Sequence, residues 1–79
     1  MRKSVHSREY KVLTALLTGA RKRAGVTQQQ LADSLKRPQS FVAKYEGGER
    51  RLDVIEFVYV CRALGQDPAR IIELIDNEL

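Results

Sequence analysis

Thr27 to Glu46 reads TQQQLADSLKRPQSFVAKYE. Thr27 followed three residues later by Gln30 is a capping box: the hydroxyl satisfies an orphan amide of the first turn, and the glutamine reaches back to the cap. Val26 before the cap and Leu31 after it are placed as a hydrophobic staple. The spacing predicts a helix of about eight or nine residues with Leu31, Ala32 and Leu35 facing inward. Proline disfavours helix at the residue before it yet suits the first helical position. The chain is therefore expected to turn at Lys36–Arg37 and to open a new helix at Pro38, which Gly47–Gly48 ends. Val42 and Tyr45 take the inner face of that helix. Gln39, Ser40, Ala43 and Lys44 are left on the outer one.

Working outward, three more helices are predicted and no strand. The first starts after Ser7, with Glu9 in its first turn, and carries Tyr10, Leu13, Leu16, Leu17, Ala20 and Ala24 at helical spacing. Arg21, Lys22 and Arg23 crowd its last turn, where positive charge suits the helix dipole, and Gly25 stops it. A fourth helix starts at Asp53, with Glu56 three residues on and Leu52 and Phe57 as a second staple. It offers Phe57, Val58, Cys61 and Leu64 to the core before Gly65. The fifth opens at Asp67–Pro68, an N-cap followed by proline, and carries Ile71, Ile72, Leu74, Ile75 and Leu79. Seventy-nine residues suit one domain. The organisation expected is a flexible tail over 1–6 and one all-α, five-helix domain over 7–79, with a helix-turn-helix unit at 27–46.

The chain is 43% hydrophobic and 30% charged, too apolar for disorder. One cysteine, Cys61, and one histidine, His6, exclude internal disulfides and Cys/His zinc sites, and remove most nucleophile–base pairs. No paired carboxylates or glycine-rich phosphate loop are visible, so no enzyme, metal or cofactor is expected. The apolar run at Val12–Leu17 is too short for a signal peptide core with its flanking charges. No stretch approaches the ~20 apolar residues of a membrane helix. The expectation is a cytoplasmic protein without a membrane partner, Cys61 a small core residue and His6 a tail residue.

Charge is uneven. Residues 1–51 carry 12 Lys+Arg and 4 Asp+Glu, for +8, and residues 52–79 carry 2 and 6, for −4. A basic segment opposite an acidic one suits a face that binds a polyanion. Two short helices joined by a tight turn cross steeply, and one kind of such pair seats its second helix in the DNA major groove. The outer residues of the second helix have the chemistry for it. Gln pairs with adenine, Lys with guanine, Ser with several partners, and Ala can touch a thymine methyl.

The series Thr27–Ala32, Pro38–Glu46, Gly48–Arg51 and Ala63–Gly65 resembles the phage-repressor-like (XRE-type) helix-turn-helix family. With its flanking helices the resemblance covers about four-fifths of the chain. It implies a compact lambda-repressor-like DNA-binding fold and a transcriptional regulator, a repressor acting on double-stranded DNA. It also implies roles for particular residues: base reading by Gln39, Ser40, Ala43 and Lys44, and phosphate contacts by Gln28 beside a helix N-terminus and by Arg50 and Arg51 in the following loop. Gln29, Lys36 and Arg37 join the phosphate set by position and charge. Arg21 and Glu46 match a structural salt bridge between the first and third helices.

One position departs from the family pattern: Lys36 stands in the turn where glycine is common, and a left-handed backbone there costs about 1 kcal/mol. Phe41 is left open between packing under the turn and touching a thymine methyl. Ile71, Ile72, Leu74 and Ile75 spread over more than one helical face, so the helix over 67–79 is a candidate homodimer interface. The second functional reading is a protein-interaction module on the same fold, such as an antitoxin that holds its toxin through that helix.

Overall fold

The computed structural model describes residues 7–79, which form α1 (Arg8–Arg23), α2 (Gln28–Leu35), α3 (Gln39–Glu46), α4 (Val54–Ala63) and α5 (Pro68–Asn77). No strand occurs among the described residues. The expected tail over 1–6, His6 included, lies outside them. Each helix begins where local chemistry starts it. Ser7 Oγ accepts from the Tyr10 amide, and Asp67 accepts from the Ala69 amide. The capping boxes Thr27–Gln30 and Asp53–Glu56 are both closed in each direction.

α3 is the exception. Its N-cap is Pro38, with extended backbone and no side-chain cap hydrogen bond, and the first helical residue is Gln39. The expectation that the helix opens at Pro38 is one residue early. Proline lacks the N–H that an interior turn would use, but the cap position makes no demand on it. Between α2 and α3, Lys36 takes a left-handed conformation (φ 57°, ψ 42°) that closes α2. The Arg37 amide then donates to the Ala32 carbonyl, which turns the chain tightly.

The core is one cluster, with Leu17, Leu31, Val42, Tyr45, Val60 and Cys61 fully enclosed. α3 packs against α2 and α1, α2 also meets α4, and α5 closes the far side over α1 and α4. Burial pushes the Cys61 thiol up to about 11. The Tyr45 hydroxyl is buried in the same cluster and makes no hydrogen bond with the described residues.

Two expected faces differ from those found. Ala24 caps α1 and is exposed, because the helix stops at Arg23. Ile71 is only 4% exposed and belongs to the core, so it is not available to a partner. It faces back over the bundle while Ile72, next in sequence, faces out at 53%. Leu74 and Ile75 are half-buried. The more exposed large apolar residues of the last two helices are Val54, Ile55 and Tyr59 on α4, which the sequence reading did not single out.

Candidate nucleic-acid interface

α3 divides sharply between inside and outside. Phe41, Val42 and Tyr45 are buried, whereas Gln39, Ser40 and Lys44 are exposed and Ala43 is intermediate. Three of the four residues expected to read bases are therefore exposed, two of them in the first turn. Recognition helices contact base edges mainly from that end.

Behind this face runs a chain of hydrogen bonds. Arg21 donates from Nε to Glu46 Oε2 (2.7 Å) and from Nη2 to Glu46 Oε1 (3.1 Å), and from Nη1 to the Val26 carbonyl (2.8 Å). The pair is nearly enclosed, with the two side chains 10% and 6% exposed. The Glu46 hydrogen bond raises the Arg21 pKa above its ordinary value. Gln28 Nε2 donates to the same Glu46 Oε1 (3.0 Å), and Gln39 Nε2 donates to Gln28 Oε1 (2.7 Å). Gln28 is thus held between the first turn of α3 and the ion pair. Gln29 is exposed and donates to Asp33 Oδ1 across one helical turn (2.9 Å), a partner not anticipated from the sequence.

The cationic residues expected to contact phosphate form two groups. Lys36 and Arg37 are exposed at the α2–α3 turn. Arg50 and Arg51 lie in the loop after α3, which is tied at both ends. Tyr10 donates its hydroxyl to the Arg50 carbonyl (2.9 Å) and accepts from the Leu52 amide (3.1 Å). Burial raises the Tyr10 pKa above its ordinary value, so the hydroxyl keeps the proton it donates. The Arg51 guanidinium lies 5.1 Å from the centre of the Tyr10 ring.

Arg50 is differently placed. It grips Glu56 with both terminal nitrogens (2.9 and 2.8 Å) and donates to the Arg51 carbonyl (2.7 Å). Arg37 reaches the same carboxylate at 3.6 Å. Both guanidiniums lie over Phe41, at 4.1 Å for Arg37 and 4.9 Å for Arg50. Phe41 therefore packs under the turn, only 6% exposed, and is a poor candidate for touching a thymine methyl. Glu56 was legible only as a capping residue, because Arg50 sits six residues before it in a loop, off any helical spacing, and Arg37 lies on another turn.

Two apolar concavities flank these features. One, about 340 Å³, is bounded by Leu35, Phe41, Tyr59 and the Lys36–Arg37 turn. The other, about 300 Å³, lies between α4 and α5 and is lined by Leu13, Val54, Phe57, Ile72 and Ile75. Among the described residues no group of three His, Cys, Asp or Glu side chains is placed to hold a metal ion, and no helix is long and apolar enough to cross a membrane.

A family model described as a helix-turn-helix domain matches residues 12–74. Among solved structures, the chain is 49% identical to an XRE-family like protein from Pseudomonas syringae pv. tomato, with a TM-score of 0.88 over 94% of this chain and 90% of that one. The clp gene regulator ClgR from Corynebacterium glutamicum is similar in fold, at 23% identity and a TM-score of 0.79, with 94% and 96% of the two chains covered. So is the restriction-modification controller protein C.Esp1396I, solved as a tetramer with its natural 35 base-pair operator, at 18% identity and a TM-score of 0.80 over 92% and 96%. No curated protein matches the chain.

Proposed function

This chain belongs to the XRE-type helix-turn-helix family, and on that premise we propose that it is a transcriptional regulator, a repressor in the cytoplasm, that binds double-stranded DNA and reads the major groove with α3. The observation that supports this most is the exposed set Gln39, Ser40 and Lys44 on a helix whose other face is locked into the core. Gln39 and Lys44 supply discrimination, worth roughly 1–3 kcal/mol for each good bidentate pair. Ser40 and Ala43 add contacts beside them. Gln28, Gln29, Lys36, Arg37 and Arg51 supply sequence-independent affinity through phosphate contact and counterion release. The regulator ClgR and the operator-bound controller protein are similar in fold, which agrees with this reading.

The protein acts as a homodimer in this proposal. Val54 on α4 and Ile72 on α5 are each more than half exposed and line the same concavity between the two helices. Scattered exposed apolar residues are common, but a set shared by two adjoining helices suits an interface. A symmetric pair would present two α3 helices to half-sites roughly 34 Å apart.

Selection of bound duplexes from a random pool near physiological salt tests the proposal. A palindromic motif with half-sites about one turn apart is the expected result. Absence of any enriched motif would refute sequence-specific reading by this chain.

A further inference from the structure

We propose that Glu56 masks Arg50 from the DNA backbone, so that Arg50 does not engage phosphate, and that Glu56 is thereby a positioning residue that sets the strength and salt dependence of sequence-independent binding. This rests on the DNA-binding reading above. Arg50 offers both terminal nitrogens to Glu56 at 2.9 and 2.8 Å, and one of them also to the Arg51 carbonyl. A phosphate would have to compete for that fork, which is already matched to a carboxylate in two-point geometry.

Releasing Arg50 would also strand the carboxylate. Glu56 is only 16% exposed at its side chain, and it would then face a polyanion with Arg37, at 3.6 Å, as its remaining cation. The stack of Arg50 on Phe41 would open as well. The same carboxylate accepts from the Asp53 amide at 3.0 Å, so it is fixed to the start of α4 and does not move with the loop. The pairing holds its pKa down at about 2, so it stays charged at neutral pH.

Masking matters because phosphate contacts raise affinity for every sequence alike. Each neutralised phosphate contributes roughly 0.9 to the slope of log affinity against log salt. Withholding one arginine lowers affinity for operator and non-operator DNA by the same factor and leaves discrimination to α3's base contacts.

The test measures binding of a non-operator duplex across a salt series by wild type, Arg50→Gln, Glu56→Gln and the double variant. Glutamine also completes a capping box, so Glu56→Gln keeps the start of α4. Expected results are an unchanged slope for Arg50→Gln alone, a slope steeper by about one to two for Glu56→Gln as Arg50, with or without Arg37, is released, and a loss of about one when Arg50→Gln is added to Glu56→Gln. Arginine side-chain nitrogen resonances of the wild type, followed during titration with the duplex, give a readout that needs no variant to fold: the Arg51 signal shifts and the Arg50 signal does not. A slope lowered by about one in Arg50→Gln alone, or a shifting Arg50 signal, would overturn the masking and leave the DNA-binding reading intact. Wild type with no affinity for any duplex at about 50 mM salt would remove both.

Discussion

Gln39 donates its side-chain amide to the Oε1 of Gln28 at 2.7 Å, and the direction of that bond is set two residues away. Both Glu46 carboxylate oxygens act as acceptors here. The carboxylate takes Arg21 and then Gln28 Nε2, so the Gln28 oxygen must turn toward α3 and Gln39 must donate to it. Gln39 keeps its own oxygen and one N–H for a base edge, the pattern that complements adenine. A buried ion pair therefore orients the exposed Gln39 amide through one intermediary.

Removing the middle of this chain has two separable effects. Glu46→Ala leaves Arg21 enclosed without its counter-charge, and loss of one partner of a buried pair costs about 3–5 kcal/mol. Urea denaturation should show that loss. Gln28→Ala leaves the ion pair intact and should cost stability little, while weakening preference at the base position that Gln39 reads. Equal affinity ratios for matched and mismatched duplexes before and after Gln28→Ala would contradict the relay.

Reading and holding should also separate by residue. Gln39→Ala or Lys44→Ala relaxes preference at one base position, by roughly 1–3 kcal/mol. Arg51→Ala weakens binding to all duplexes alike and flattens the salt slope by about one. Competition binding with single-base operator variants checks both.

Lys36→Gly should stabilise the fold. The left-handed backbone at φ 57° costs a non-glycine residue about 1–2 kcal/mol, partly offset by the greater freedom of glycine in the unfolded chain. The expected net gain is about 0.5–1 kcal/mol, or roughly 2–8 °C in Tm. Duplex affinity should fall at the same time if Lys36 touches phosphate, and a thermal melt and a binding isotherm on one sample separate the two.

Acid should act through Glu56. Its pKa in the fold lies at about 2, below the ordinary 4.5, chiefly because Arg50 bonds the charged form. A depressed carboxylate contributes stability that is fully present above its unfolded pKa and is lost as pH falls through the folded one. The loss therefore falls between about pH 4.5 and pH 2. Glu56→Gln should be less stable than wild type at neutral pH, and its Tm should fall less across that window. Parallel Tm curves for the two proteins would exclude Glu56 as the source.

Neighbours Ile71 and Ile72 give opposite results. Ile71→Ala empties core volume and should cost about 2–5 kcal/mol without changing assembly. Ile72→Asp should leave the monomer folded and break the dimer. Light scattering should return 9.0 kDa for Ile72→Asp and twice that for wild type. A wild type that stays at 9.0 kDa at every concentration would rule out the proposed homodimer.

Much of this was legible because it is local. Thr27–Gln30, Asp53–Glu56 and Asp67–Pro68 fix three helix starts within a few residues of chain, and the spacing of Val42 and Tyr45 assigns α3's inner face. The five-helix, all-α fold follows from such signals. What was illegible depends on contacts between distant residues. Arg50 reads as a loop cation until Glu56, six positions on, is found to hold it. Gln28 and Gln39 stand eleven apart and read as separate surface amides. Which of two consecutive isoleucines enters the core depends on the rotation of α5 against α1 and α4, which a helix apolar on several faces leaves undetermined.

Cys61, fully enclosed, with its thiol pushed up to about 11, has a practical consequence for chemistry done on this protein. The thiolate is the reactive form, and a buried thiol with a raised pKa supplies almost none of it at neutral pH. As the chain contains no other cysteine, a Ser40→Cys substitution would carry the one accessible thiol. A maleimide dye, spin label or photo-cross-linker would then attach at the proposed groove-facing position alone, with the native cysteine left in place.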